Sequence, residues 1–147
     1  MPAYELQTTK PRQIIGGFLH GASISLQAYF YRKTHNMTTE LNIEDIVVGT
    51  GKAAERGALI TAHYRGWLED GTEFDSSHQR GAAFQCVLSN NKVIQGWIIG
   101  LKGMQVGGKR KLWVPAHLAY GERQVGLIPP NANLVFEIEL LEVLTRD

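Results

Sequence analysis

Val93-Ile94-Gln95-Gly96-Trp97-Ile98-Ile99-Gly100-Leu101 stands apart from the rest of the sequence, because Val93, Ile94, Trp97, Ile98 and Leu101 recur at helical spacing. Asn90 or Asn91 is placed to cap its start, since a short amide side chain accepts from the free N–H groups of a first turn. Gly103 lies just past its end, where glycine supplies the left-handed residue that closes many helices. On both sides the pattern changes to strands. Residues 43–48 read as a short strand ending at Gly49, and residues 59–68 as a longer one. Asp70-Gly71 then predicts a type I′ hairpin turn with positive φ at both residues, and residues 72–74 begin the return strand. Residues 84–88, 109–114 and 134–143 complete the set, with a helical turn over 115–120. The sum is an α+β fold: an antiparallel sheet of five or six strands around one short helix, without the alternating βαβ order of a parallel sheet.

The chain has 147 residues, 44% hydrophobic and 20% charged, which suits one domain with a real core. Fifteen basic residues against 14 acidic leave a net charge of +1 and no electrostatic case for nucleic acid. The single cysteine, Cys86, excludes an internal disulfide framework and a cysteine-based zinc site. The composition shifts near Met37. Residues 1–40 carry four basic and two acidic residues, leaving 11 basic and 12 acidic for residues 41–147. Residues 1–40 therefore form an N-terminal extension and residues 41–147 the domain. The apolar run over 14–31 is interrupted by His20, Gln27 and several Gly and Ser residues, which spoils it as a membrane span of about 20 apolar residues. It reads as a targeting segment, as a flanking helix or arm, or as sequence upstream of a start at Met37.

Several motifs have plainer readings. Gly49-Thr50-Gly51-Lys52-Ala53-Ala54 fits G-x-G-x-x-A, but Gly57 and a strand follow where a dinucleotide fold needs a helix. Asp75-Ser76-Ser77-His78 holds the residue types of a hydrolase triad, yet adjacent residues cannot assemble one; turn chemistry after a strand is the better reading. The histidines include no HExxH and no i, i+4 pair, so no metal site is expected. Lys109-Arg110-Lys111 reads as a solvated edge or weak contact patch. Cys86 reads as an inert small hydrophobe.

One constellation remains. Tyr64, Phe74, Phe84, Val93, Ile94, Trp97, Tyr120 and Phe136 are apolar groups set beside single polar ones, and each alone could be plain core. Asp75 follows an aromatic between apolar segments, so it reads as a partly buried carboxylate that needs a partner. The segment 121–130 is long, contains glycine and ends in Leu127-Ile128-Pro129-Pro130, as a flap over a site would. Residue types and spacing give an apolar cleft with a few polar handles, not a reaction.

The reaction comes from a resemblance. His63-Tyr64-Arg65-Gly66-Trp67-Leu68-Glu69-Asp70-Gly71-Thr72-Glu73-Phe74-Asp75-Ser76-Ser77 resembles the signature of the FKBP-type peptidyl-prolyl cis-trans isomerases, which bind tacrolimus and rapamycin. So do Lys92-Val93-Ile94-Gln95-Gly96-Trp97 with Gly100 and Gly103-Met104, Ala119-Tyr120-Gly121, and Ile128-Pro129-Pro130-Asn131-Ala132 with Leu134-Val135-Phe136-Glu137. The blocks keep the family's order over residues 41–147, and the details resemble the small bacterial, single-domain members.

The resemblance implies a half-barrel sheet wrapped around the short helix, with a pocket between them. Trp97 would be its floor, Tyr64, Phe74, Phe84 and Phe136 its aromatic walls, Val93 and Ile94 its rim, and Asp75 its polar wall. The Ile94 N–H and the Tyr120 hydroxyl would bond carbonyls of the ligand, and Ile128 would sit in the flap. Asp75, Tyr120, Tyr64 and Phe74 would be the catalytic set. The implied activity is rotation of X–Pro bonds during protein folding, with no cofactor and no metal; the alternative is a prolyl-peptide-binding chaperone or scaffold domain with little turnover. Implied partners are proline-containing polypeptides and macrolides, for a monomer in the cytoplasm, or in the periplasm or at a membrane if residues 1–36 are a targeting segment. The chain departs from the pattern at Cys86, at Ile98-Ile99 where acidic residues are common, and in a flap one residue shorter before Leu127.

Overall fold

The computed structural model describes residues 40–146; the readings of residues 1–39 lie outside them. Six strands form one antiparallel sheet: β1 (Asn42–Val47), β2 (Leu59–Leu68), β3 (Glu73–Ser76), β4 (Phe84–Val87), β5 (Lys109–Val114) and β6 (Leu134–Leu144). They run in the order β1-β5-β6-β2-β3, and β4 also pairs with β2. Two short helices, α1 (Ser77–Arg80) and α2 (Gln95–Gly100), and a 3₁₀ turn (Ala116–Leu118) complete the described chain. This is the α+β sheet wrapped around a short helix that the sequence predicts.

Alternation builds the concave face. In β2, Ile60, Ala62, Tyr64 and Gly66 turn inward, and in β6 Leu134, Phe136, Ile138 and Leu140 do the same. The β2–β6 ladder runs from Leu59 opposite Leu144 to Leu68 opposite Leu134, with one shift between Thr61 and Ala62. Helix α2 lies across this face because two glycines let it approach β5. A Cβ at Gly100 would stand 2.8 Å from Leu112 Cδ1, and one at Gly96 would collide with Val114. The approach buries Trp97 completely and Ile98 nearly so.

Four local expectations are corrected. Helix α2 begins at Gln95, after Ile94 as N-cap, not at Val93 after an asparagine. Val93 and Ile94 are fully buried because an extended segment drops them into the core, and such a step mimics helical spacing in sequence. The Asn90 side chain instead accepts from Gln95 Nε2 at 3.0 Å. The β2–β3 turn is not type I′. Gly71 takes φ 94°, but among the described non-glycine residues only Asn131 has positive φ. Four residues, 69–72, close the hairpin, and Asp70 Oδ1 accepts from the Thr72 N–H at 2.9 Å. Lys109-Arg110-Lys111 is not an edge, because β5 lies between β1 and β6. Arg110 turns under the sheet to donate to the Gly100 carbonyl at 2.8 Å and to Asp45 at 2.7 Å. Finally, residues 76–78 do more than turn: Ser76 caps α1, accepting from the Gln79 N–H at 3.3 Å.

Candidate functional site

The site grows from the edge of β2. β3 pairs with its second half and β4 with its first half, so the chain must leave and return along one edge. Helix α1 makes that step. Its four residues carry Arg80 back over β3, and Gly81 closes it in the left-handed region at φ 72°.

Asp75 is thereby enclosed by donors. Its Oδ2 accepts from the Tyr64 hydroxyl in a short hydrogen bond, and its Oδ1 accepts from Arg80 and, at 2.9 Å, from the Ser76 N–H. Arg80 Nη2 also donates to the Tyr64 hydroxyl at 3.3 Å, with the guanidinium 5.6 Å from the ring centroid. Asp75 is thus the partnered, buried carboxylate that the sequence leads one to expect. Burial, and after it the bond to Asp75, push the Tyr64 phenol well above its ordinary 10.0. The bond to Tyr64 raises Arg80 further. Both carboxylate oxygens are thus engaged, and the raised phenol keeps its proton at neutral pH.

Beside it lies an aromatic nest. The Trp97 ring meets Tyr64, Phe84 and Phe136 edge-on, at centroid distances of 5.2, 5.8 and 5.5 Å. Phe74 meets Phe136 at 5.7 Å, also edge-on. Gly66 makes room for this, since a Cβ there would stand 2.6 Å from the Phe74 ring. The Trp97 indole N–H is buried with no hydrogen-bond partner among the described residues. Val93, Ile94, Tyr120 and Ile128 close the same buried cluster. The Ile94 N–H stands ahead of the first helical bond, so the helix ladder does not consume it. Residues 121–130 are pinned: Val125 and Ile128 exchange hydrogen bonds at 2.8 and 2.9 Å, which buries Ile128 and leaves Leu127 66% exposed.

All ten residues singled out in the sequence therefore lie in or against one cluster. Arg80 was not among them. The signal for it is indirect: a buried carboxylate demands a cation, and a capped helical turn after Ser76 brings a residue five positions on back to Asp75. His117 stays exposed on the 3₁₀ turn. Among the described residues, no three His, Cys, Asp or Glu are grouped to hold a metal ion. A separate groove of about 270 Å³ lies on the other side of the sheet between Trp67, Val135 and Trp113. Lys111 covers the Trp113 ring there and Arg65 the Trp67 ring, so it shares nothing with the aromatic nest.

Residues 50–141 match the sequence profile described as FKBP-type peptidyl-prolyl cis-trans isomerase. The chain belongs to that family. An FK506-binding protein of Neisseria meningitidis serogroup A is 52% identical over 104 residues, 70% of this chain and 95% of the relative. FK506-binding protein 1 of Debaryomyces hansenii is 48% identical over 103 residues, 69% of this chain and 92% of the relative. Among solved structures, AtFKBP13 superposes with a TM-score of 0.65 at 44% identity, covering 69% of this chain and 91% of that one. FkpA from Escherichia coli superposes with a TM-score of 0.71 at 35% identity, covering 88% and 63% respectively. The FKBP half-barrel is the fold of these neighbours, and the aromatic nest of this chain occupies its hollow.

Proposed function

We propose that this FKBP domain is an active isomerase that rotates X–Pro bonds by desolvation and positioning. The observation that carries this reading is the pairing of Trp97, ringed edge-on by three aromatics, with an Asp75 whose oxygens are already engaged. Rotation about an X–Pro bond crosses a barrier of about 18–20 kcal/mol because it breaks amide resonance. The twisted state has a less polarised carbonyl than either planar isomer. Taking the bond out of water therefore disfavours the planar states more than the twisted one. A proline ring seated on Trp97, among Tyr64, Phe84 and Phe136, would lose its water. The Ile94 N–H and the Tyr120 hydroxyl would steady carbonyls on either side, with Val93 and Ile128 closing over the chain. Asp75, Tyr64 and Phe74 would fix the wall the carbonyl turns against. A rate gain of about 10⁵ requires about 7 kcal/mol, which desolvation and positioning can supply.

The partners of this reading are proline-containing polypeptides, with tacrolimus and rapamycin as occupants of the same well. We propose further that residues 41–147 are the whole catalytic unit, acting as a cytoplasmic monomer. The test is an isomerisation assay on a short X–Pro peptide with and without tacrolimus, following Trp97 fluorescence in parallel. Acceleration that tacrolimus abolishes is the expected result. Tacrolimus binding without acceleration would replace the enzyme by a prolyl-peptide-binding module. Failure of tacrolimus and rapamycin at micromolar levels against a normal rate would overturn the pocket. A chain starting at Met37 should keep the rate; a large loss would make the preceding arm part of the catalytic unit.

A further inference from the structure

His63 and His78 stack face to face, with centroids 4.4 Å apart and planes 17° from parallel. His63 lies on the outer side of β2, one residue before Tyr64, and its Nδ1 is 2.8 Å from Ser77 Oγ. Ser77 is fully buried, and its Oγ also accepts from the Tyr64 N–H at 2.8 Å. His78 is the next residue of α1 and is exposed. Thus one short helix carries, in four residues, the anchor of the stack, the second ring of the stack and Arg80.

We propose that the His63–His78 stack is an acid-sensitive latch on the binding well, released when both rings are protonated, so that α1 shifts and Arg80 leaves Asp75 and Tyr64. Imidazoles are the side chains that ordinarily change charge between about pH 5 and 8. An imidazolium donates from both nitrogens, so the Ser77 contact survives protonation and keeps His63 in place. The repulsion between two charged rings then acts on exposed His78. Charged groups of both signs surround the stack. From β6, Glu139 is paired opposite His63, and Lys109 of β5 is paired beyond Glu139. On β2, Arg65 follows on the same outer side, bound to Glu73 at 2.8 Å and opposite Glu137. β3 offers Asp75, already bound to Arg80. β4 offers only neutral Gln85, opposite Thr61. Helix α1 itself has no acidic residue and two basic ones, His78 and Arg80. Two charged rings whose centroids stand 4.4 Å apart repel one another, and opening separates them, so acid favours opening. Release is transmitted because the His78 carbonyl accepts from the Gly81 N–H at 3.1 Å, so moving His78 loosens the turn that aims Arg80.

The consequence for binding rests on the isomerase reading; the movement of α1 does not. The test is an NMR titration of the full chain from pH 7.5 to 5, following the amides of residues 77–81 and the Arg80 side chain, with tacrolimus affinity measured alongside. Tacrolimus affinity should fall about fivefold between pH 6 and 5 as those signals shift together, and His78→Gln should abolish both changes. Signals and affinity that hold steady to pH 5, or a His78→Gln variant that follows the wild type, would overturn the latch. An acid shift at residues 77–81 that His78→Gln removes, in a chain that binds no macrolide at any pH, would uphold the latch and refute the binding reading.

Discussion

Arg80 binds the Tyr64 hydroxyl at 3.3 Å while its guanidinium covers the Tyr64 ring at 5.6 Å, so one side chain meets both the polar and the aromatic character of the other. Lysine offers a point charge in place of a planar fork and cannot serve Asp75 and the hydroxyl alike. Arg80→Lys should therefore keep part of the function, and Arg80→Gln should lose more. For Arg80→Gln we expect kcat/KM on an X–Pro peptide to drop about tenfold and stability to fall by about 1–2 kcal/mol. Peptide assays and urea midpoints check both. Equal activity in wild type and Arg80→Gln would remove Arg80 from the working wall.

On the proposed desolvation mechanism Asp75, which accepts from Tyr64, Arg80 and the Ser76 N–H, moves no proton. kcat/KM should be nearly flat from about pH 6 to 8.5, with a solvent deuterium isotope effect close to one. A bell-shaped profile centred near neutrality, or a large isotope effect, would defeat the desolvation account.

Tyr64 sets a limit at the alkaline end. Its phenol is raised in the folded chain, so the unfolded chain gives up that proton first. The contribution is fully present below pH 10 and is lost as pH rises beyond it. Urea midpoints of the wild type should decline as pH rises above about 10, and Tyr64→Phe should flatten that part of the decline. An unchanged slope in the variant would show that other groups cause it.

Gly96 is required by the seat of α2 on β5, where a Cβ would collide with Val114. Gly96→Ala should cost about 1–3 kcal/mol through overpacking, although alanine is the better helix former. Adding Val114→Ala should recover part of that loss. Calorimetry on both variants measures the coupling, and additive losses would place the strain elsewhere.

Cys86 is half-buried in β4, and burial pushes its thiol up to about 12. Ellman's reagent at pH 8 should modify the folded chain at least about 100-fold more slowly than the denatured chain. Equal rates would mean that β4 opens readily.

Regular alternation made most of the sheet readable. Leu59–Leu68 could be bounded to the residue because its inward and outward positions alternate, and Lys109–Val114 because Gly107-Gly108 and Pro115 bracket it. Other features depend on geometry that a linear pattern does not carry. Val93 and Ile94 are adjacent buried residues in an extended segment, which spacing alone cannot separate from a helix face. Asp70-Gly71 carries hairpin residue types, yet a four-residue connection needs positive φ only at Gly71. Arg80 escaped notice because its partnership with Asp75 exists only after Ser76 has capped one turn of helix. The aromatic residues were legible through the family signature, whereas their edge-on arrangement around Trp97 follows from the glycines that let the sheet and helix close.

The position of β6 bears on how the protein is made. It is synthesised after every other strand, yet it lies between β5 and β2. As the chain emerges from the ribosome, β2 and β5 have no common neighbour, and Trp97 lacks the ring of Phe136. Hairpins such as β2–β3 can form early, but the curved sheet cannot close until the final strand arrives. Pairings this distant along the chain are slow to form. The nascent domain therefore leaves the facing edges of β2 and β5 unpaired during translation until β6 arrives.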